Sequence, residues 1–108
     1  MTDPKAALVW CPFPDCETAR AIAKSLLDED LIACANLLGE VESIFNWEGK
    51  VETGSETGVL LKTRSDLLER AIERLGELHP YDTPAILGWH CDQGHPGTLE
   101  WLGALGAN

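Results

Sequence analysis

The sequence predicts an α+β domain with the element order βαββαβ, an antiparallel sheet and a short helix at the C-terminus. Two segments, residues 19–27 and 68–78, repeat apolar side chains at helical spacing. Strand-forming runs lie before, between and after these segments, and Glu48-Gly49 separates two of the runs as a hairpin turn. Two helices on one face of such a sheet make the split βαβ, ferredoxin-like arrangement.

The first strand and the first helix follow from residue type. Residues 6–11 form an apolar run without a polar face, and Pro12 ends it because proline cannot donate a ladder hydrogen bond. Asp15 is a predicted N-cap, and the helix dipole favours Glu17 in the first turn. The apolar spacing predicts that this helix ends within residues 28–30.

The middle of the chain predicts a long hairpin. Residues 31–38 form the second strand, and Gly39 interrupts it before the alternating pattern of residues 41–47. After the Glu48-Gly49 turn the chain returns through residues 51–63. Both arms are longer than a typical strand of about 5–6 residues, and the glycines within them predict bulges.

The last part of the chain completes the βαββαβ order. Ser65 is the predicted cap of the second helix, and Pro80 stops that helix. Residues 83–91 form the fourth strand, and Pro96 starts the final helix. The chain of 108 residues is long enough to bury one hydrophobic core, so we expect residues 1–108 to form a single domain.

Covering one sheet face with helices leaves the other face and the edges of the sheet open. The hairpin carries apolar side chains, among them Val41, Phe45, Trp47 and Val51, that would then stand partly outside their own domain. Exposed strand edges of this kind are a liability unless they are paired. We expect them to pair with another copy of the chain in closed symmetry. The alternative is a hairpin that folds back on its own domain.

Charge and cysteine content limit the choice of partner and compartment. The chain has 18 acidic against 8 basic side chains, a net charge of -10, and its basic residues are scattered. Nucleic acids and anionic membranes select clustered Lys and Arg, so neither is an expected partner, and the acidic surface serves solubility or attracts cations. The start of the chain, with Asp3 and Pro4, does not resemble a signal peptide. We therefore expect a cytoplasmic protein whose four cysteines are reduced.

Short motifs in a fixed order resemble the CutA divalent-cation tolerance family. The resemblance covers residues 7–105, nearly the whole chain. It implies a ferredoxin-like fold, a homotrimer built by strand pairing between subunits, a link to tolerance of copper and other divalent metals, and a fold and trimer similar to those of PII signalling proteins. The motifs are Ala33-Cys34-Ala35-Asn36, Trp47-Glu48-Gly49-Lys50, Lys62-Thr63-Arg64, His79-Pro80-Tyr81 with Thr83-Pro84, and Leu99-Glu100-Trp101-Leu102.

The resemblance also implies a metal site. The family's proposed ligands correspond to Cys11 and His79, a soft pair that suits copper or zinc. A third ligand, a carboxylate just after the Thr-Pro, is replaced by Ala85, which weakens the site because two ligands rarely hold a metal tightly. The alternative is a buried strand cysteine and a histidine favoured by the C-terminal end of a helix dipole.

Other candidate sites are local to this sequence. His90, Asp92 and His95 would form a mixed nitrogen and oxygen metal site if they converge, with Cys91 on the opposite face of the strand. The alternative is an ordinary polar strand end. Cys16 lies in the first turn of a helix, where the dipole lowers a thiol pKa, so a reactive thiol is a further hypothesis.

The remaining motif residues suggest a ligand cleft or a trimer contact. Glu48 and Lys50 flank the tight turn, either as an ion pair that clamps a ligand or as part of a tip docked into a neighbouring subunit. In the second case Trp47 is the buried anchor. Lys62 and Arg64 offer charges for an anion between subunits, and Tyr81 completes the set.

No complete catalytic motif is present, so we expect a protein that is not an enzyme and needs no organic cofactor. There is no GxSxG, HExxH or phosphate-binding glycine loop. Three hypotheses remain: a trimeric protein that binds copper or another divalent metal, a PII-like module that binds an anionic metabolite, and a scaffold whose trimer is its whole role.

Overall fold

A four-stranded antiparallel sheet with helices packed on one face forms the core of the computed structural model, which describes residues 5–107. The predicted α+β order is confirmed. Residues 1–4, on which the signal-peptide argument depends, and Asn108 lie outside the described part. The elements are β1 (Ala6–Phe13), α1 (Cys16–Asp28), β2 (Cys34–Trp47), β3 (Lys50–Arg64), α2 (Leu68–Leu78), β4 (Leu87–Cys91) and α3 (Pro96–Gly103), with a 3-10 turn at Ser65–Leu67.

The strand order β2-β3-β1-β4 places the first strand and the returning hairpin arm at the centre of the sheet. β1 pairs with β3 from Ala6↔Arg64 to Phe13↔Thr57. The hairpin pairs on as far as Trp47↔Lys50, so its outer half extends beyond the end of β1. β2 and β4 are the two edges.

Alternation along β1 and β3 divides the sheet into a helix-covered face and an open face. Val9, Val59 and Leu61 point to the helices and are at most 1% exposed. Thr63 lies on the same side, and its buried hydroxyl donates to the carbonyl oxygen of Leu31 at 2.7 Å. The open face carries apolar side chains that no α1 or α2 residue covers: Leu8, Trp10, Leu60, Leu87 and Trp89.

The hairpin differs from the prediction at its start and in its bulges. β2 begins at Cys34 rather than at residue 31, because Leu31 and Ile32 are buried in the core before strand pairing begins. One register shift occurs between Leu37 and Gly39, and the arm then continues as a single strand.

The predicted hairpin turn is confirmed, whereas the two glycines of the returning arm do not form the predicted bulges. Glu48 and Gly49 have φ values of 51° and 80°, as a tight hairpin turn requires. Gly54 and Gly58 pair without a bulge, so that prediction is wrong for them. Gly58 instead makes room for an indole ring, since a Cβ there would lie 2.6 Å from Cη2 of Trp10.

Three further element boundaries are corrected. β1 does not end at Pro12, because the strand runs to Phe13 and Pro12 pairs with Gly58 of β3. Ser65 does not cap α2, because it begins the 3-10 turn and its hydroxyl donates to the carbonyl oxygen of Ala6 at 3.0 Å. The fourth strand starts at Leu87 rather than at residue 83. Continuing the ladder would place Pro84 opposite the end of β1, where Pro12 also lacks an N–H, so pairing stops at Trp10↔Leu87.

The helix ends follow the predictions more closely. The N–H of Thr18 donates to Asp15 Oδ1 at 2.7 Å, which confirms the N-cap and holds the pKa of that carboxyl below its usual value. His79 ends α2 just before Pro80, and Pro96 opens α3. Within residues 5–107, no helix is both long and apolar enough to cross a bilayer.

Candidate functional site

A groove of about 560 Å³ lies where the outer half of the hairpin, the end of β1 and the loop from α2 to β4 meet. Pro12 lines it from β1, Phe45 and Trp47 from β2, and Glu56 from β3. The loop contributes Tyr81, Asp82 and Ala85. A volume of this size is typical of a small-molecule site.

Beside the groove, Cys11 and His79 meet at one backbone oxygen. The thiol of Cys11 lies 3.5 Å from the carbonyl oxygen of Pro12, and His79 Nε2 lies 2.9 Å from the same atom. The N–H of Tyr81 donates to His79 Nδ1 at 3.2 Å. With Nδ1 accepting, Nε2 is the nitrogen that donates, so both ring nitrogens are engaged.

The surroundings hold the Cys11 thiol in its protonated form. Burial, and to a lesser degree the charge of Glu56, raises the pKa of Cys11 to about 12. Metals bind the thiolate, so a metal has to displace this proton.

As arranged, the Cys11–His79 pair does not fit a bound metal. Both ring nitrogens of His79 are engaged in hydrogen bonds, the Cys11 sulfur keeps its proton, and Ala85 supplies no third ligand. Throughout residues 5–107, no three His, Cys, Asp or Glu side chains are grouped to hold one. Metal binding by this pair therefore stays a prediction, and it requires the loss of a proton and of a histidine hydrogen bond.

Tyr81 and Glu56 join the loop to the hairpin. The phenol of Tyr81 donates to Glu56 Oε2 at 3.0 Å, and its ring lies 4.7 Å from that of His79. Burial, together with the hydrogen bond to Glu56, raises the pKa of Tyr81 to about 12, so the phenol remains a donor at neutral pH.

Sequence reasoning missed Glu56. No residue pattern marks it, because its place in the groove depends on the strand register that pairs it with Val41.

The hairpin tip is exposed in the isolated chain. Trp47 is 50% exposed and pairs with Lys50 across the turn. In the described residues no ion pair joins Glu48 to Lys50, so the clamp interpretation lacks its central contact. Docking of this tip into a neighbouring subunit stays a prediction.

Lys62 and Arg64 project from the same side of β3, but Arg64 is already engaged. Its Nη1 donates to the carbonyl oxygen of Leu105 at 2.8 Å, and its Nε lies 2.5 Å from a carboxylate oxygen of Asp66. The guanidinium holds the segment after α3 and pairs with Asp66, so one of the two cations predicted for an anion site is already occupied.

The second predicted metal cluster is dispersed. β4 ends at Cys91, so Asp92 does not share a strand face with His90. His95 caps α3, with Nδ1 accepting from the N–H of Gly97 at 3.1 Å. That capping role was missed, although Pro96 at the first helical position indicates where the helix begins.

Cys16 is exposed at the first position of α1. The guanidinium of Arg20, one helical turn later, donates to its sulfur at 3.2 Å. The structure therefore adds Arg20 as a neighbour of the thiol, and the reactive-thiol hypothesis stays a prediction.

Comparison with known proteins gives one consistent family. The family model of the CutA1 divalent ion tolerance protein matches residues 7–104. A divalent-cation tolerance protein CutA from Pyrococcus horikoshii is 50% identical over 95 residues, covering 88% of this chain and 92% of that protein.

Solved structures agree with this assignment. The crystal structure of CutA1 from Ehrlichia chaffeensis has a TM-score of 0.90 at 31% identity and covers 99% of this chain and 100% of its own. The structure of the periplasmic CutA from Archaeoglobus fulgidus has a TM-score of 0.85 at 33% identity, covering 90% and 94%. This chain belongs to the CutA1 divalent ion tolerance protein family.

Proposed function

We propose that this protein is a cytoplasmic homotrimer that contributes to tolerance of divalent metal ions, copper among them, without acting as an enzyme. Membership of the CutA1 family supports the tolerance role. The trimer is the stoichiometry that the motif resemblance implies. The PII-like alternative loses support because Arg64, one of its two predicted anion ligands, is tied to the chain's own carbonyl and carboxylate oxygens.

The open face of the sheet is the observation that carries the proposal. Leu87 and Trp89 on the edge strand β4 are 69% and 45% exposed, and they stand beside Trp10 and Leu8 of β1. Monomeric proteins rarely expose large contiguous apolar patches. Two edge strands with unpaired backbone groups border the same face, so self-association satisfies both needs at once.

Sedimentation equilibrium of the purified protein at micromolar concentration tests this assembly. We expect three times the 11.8 kDa mass of the chain. The mass of a single chain would overturn the trimer and leave only the family role. A dimer would retain the self-association argument but contradict the stoichiometry.

The metal part of the proposal has a chemical condition that can be measured. Cys11 and His79 remain the proposed ligands, and Cys11 must lose its proton when a metal binds. With a pKa of about 12, the thiolate fraction rises about tenfold with each pH unit below that value. We therefore expect apparent copper(I) or zinc affinity to rise about tenfold per unit between pH 6 and 8.

Three other cysteines would obscure this measurement, so the titration needs a defined background. A variant with Cys16→Ser, Cys34→Ser and Cys91→Ser keeps only the buried thiol. The matched control adds Cys11→Ser and His79→Ala to the same background. Equal affinity and equal pH dependence in the two proteins would remove the Cys11–His79 site and leave the assembly proposal intact.

A further inference from the structure

The groove combines aromatic rings with carboxylates, and this chemistry is not that of an inorganic metal site. Phe45, Trp47 and Tyr81 line it and are 42%, 50% and 37% exposed in the isolated chain. Glu56 and Asp82 add two carboxylates. Among the described residues that line it there is no Lys, Arg or His.

From this arrangement we propose that the groove binds a small organic cation, a quaternary ammonium or protonated amine. Aromatic faces attract such cations through the negative potential above the ring, and Trp gives the strongest attraction. A carboxylate close to the rings adds charge complementarity. The net charge of -10 also attracts a positively charged ligand over long range.

The contacts at the groove hold its parts in a fixed relation. The Tyr81 phenol donates to Glu56 Oε2, which fixes the position of one carboxylate that lines the groove. His79 fixes the loop by accepting from the N–H of Tyr81, and it fixes the end of β1 through the Pro12 carbonyl oxygen. Such preorganisation lowers the entropy cost of binding.

An inorganic divalent ion fits this site less well. Hard cations need several oxygen ligands in close coordination, and one of the two carboxylates is already shared with a phenol. The aromatic carbon surface offers such an ion nothing in exchange for its water. An organic cation loses little hydration and gains contact with that surface.

Isothermal titration of the assembled protein with choline chloride tests the proposal. The neutral control ligand is the choline isostere in which carbon replaces nitrogen, and sodium chloride holds the ionic strength constant. We expect millimolar binding of choline and at least about tenfold weaker binding of the neutral isostere. Equal binding of the two would show an apolar groove without cation selectivity and would overturn the proposal.

Matched variants locate the binding. Glu56→Gln keeps an acceptor for Tyr81 but removes the charge, and Glu42→Gln makes the same charge change outside the groove. Trp47→Leu removes a lining ring, and Trp101→Leu removes another indole that is also 50% exposed. We expect about tenfold loss for each groove variant and less than about twofold for each control.

Three outcomes would reject the site. One is the absence of heat with choline, which indicates that a neighbouring subunit fills the groove. Another is an equal loss in the two glutamate variants, which indicates long-range charge alone. The third is unchanged affinity in Trp47→Leu. Sedimentation of each variant confirms that it is assembled, so loss of binding is not mistaken for loss of the fold.

Discussion

Leu87→Asp is expected to convert the assembled protein into single chains. Leu87 is 69% exposed in the isolated chain, so the substitution removes little packing within one subunit. In a trimer built on the open face, each copy loses a buried leucine and gains a carboxylate without a partner. At about 2 kcal/mol per subunit, three copies lower the association constant roughly 10⁴-fold.

Sedimentation equilibrium measures this effect, and Leu27→Asp is the matched control. Leu27 is 38% exposed on α1, which lies on the other side of the sheet. The control makes the same chemical change without touching the open face, so it should retain the mass of the assembled protein. Equal dissociation by both variants would indicate a general effect of added charge, and no dissociation by Leu87→Asp would place the interface elsewhere.

The fold could be predicted because it depends on local patterns. Apolar spacing gives α1 and α2, and the Glu48-Gly49 turn gives the hairpin, whose tight geometry the φ values confirm. The boundaries that failed depend on partners distant in sequence. The fourth strand starts late because Pro12 of β1 ends the pairing between β1 and β4. Leu31 and Ile32 were predicted as strand because an apolar run indicates burial but does not distinguish a strand from a buried loop.

The site was less predictable because its parts become neighbours only through the fold. The resemblance implies that Cys11 and His79 bind a metal, which stays a prediction. In the structure the Cys11 thiol and His79 Nε2 both face the Pro12 carbonyl oxygen, and His79 Nδ1 accepts from the Tyr81 N–H. Backbone hydrogen bonds of this kind have no signature in residue type. Glu56 enters the groove through strand register, which a single sequence does not specify.

His79→Ala is expected to destabilise the metal-free protein by about 3 kcal/mol. The ring is 6% exposed, stacks on Phe13 at a centroid distance of 4.8 Å and makes two hydrogen bonds to the backbone. Its loss leaves a cavity beside Phe13, removes the acceptor of the Tyr81 N–H, and leaves the Pro12 carbonyl oxygen with the Cys11 thiol at 3.5 Å. Urea unfolding in the presence of a chelator, at equal protein concentrations, measures the change in free energy of unfolding.

His90→Ala is the control, because His90 is an exposed histidine whose replacement should change the unfolding free energy by less than about 0.5 kcal/mol. A residue that serves only as a metal ligand contributes nothing to stability when metal is absent. If His79→Ala and His90→Ala changed the free energy of unfolding equally in the presence of a chelator, the hydrogen bonds to Pro12 and Tyr81 would not contribute to stability. The His79 ring would then be free to bind a metal. A large loss would instead show that His79 mainly holds Pro12 and Tyr81 of the groove in position. A metal would then have to break these hydrogen bonds before it binds.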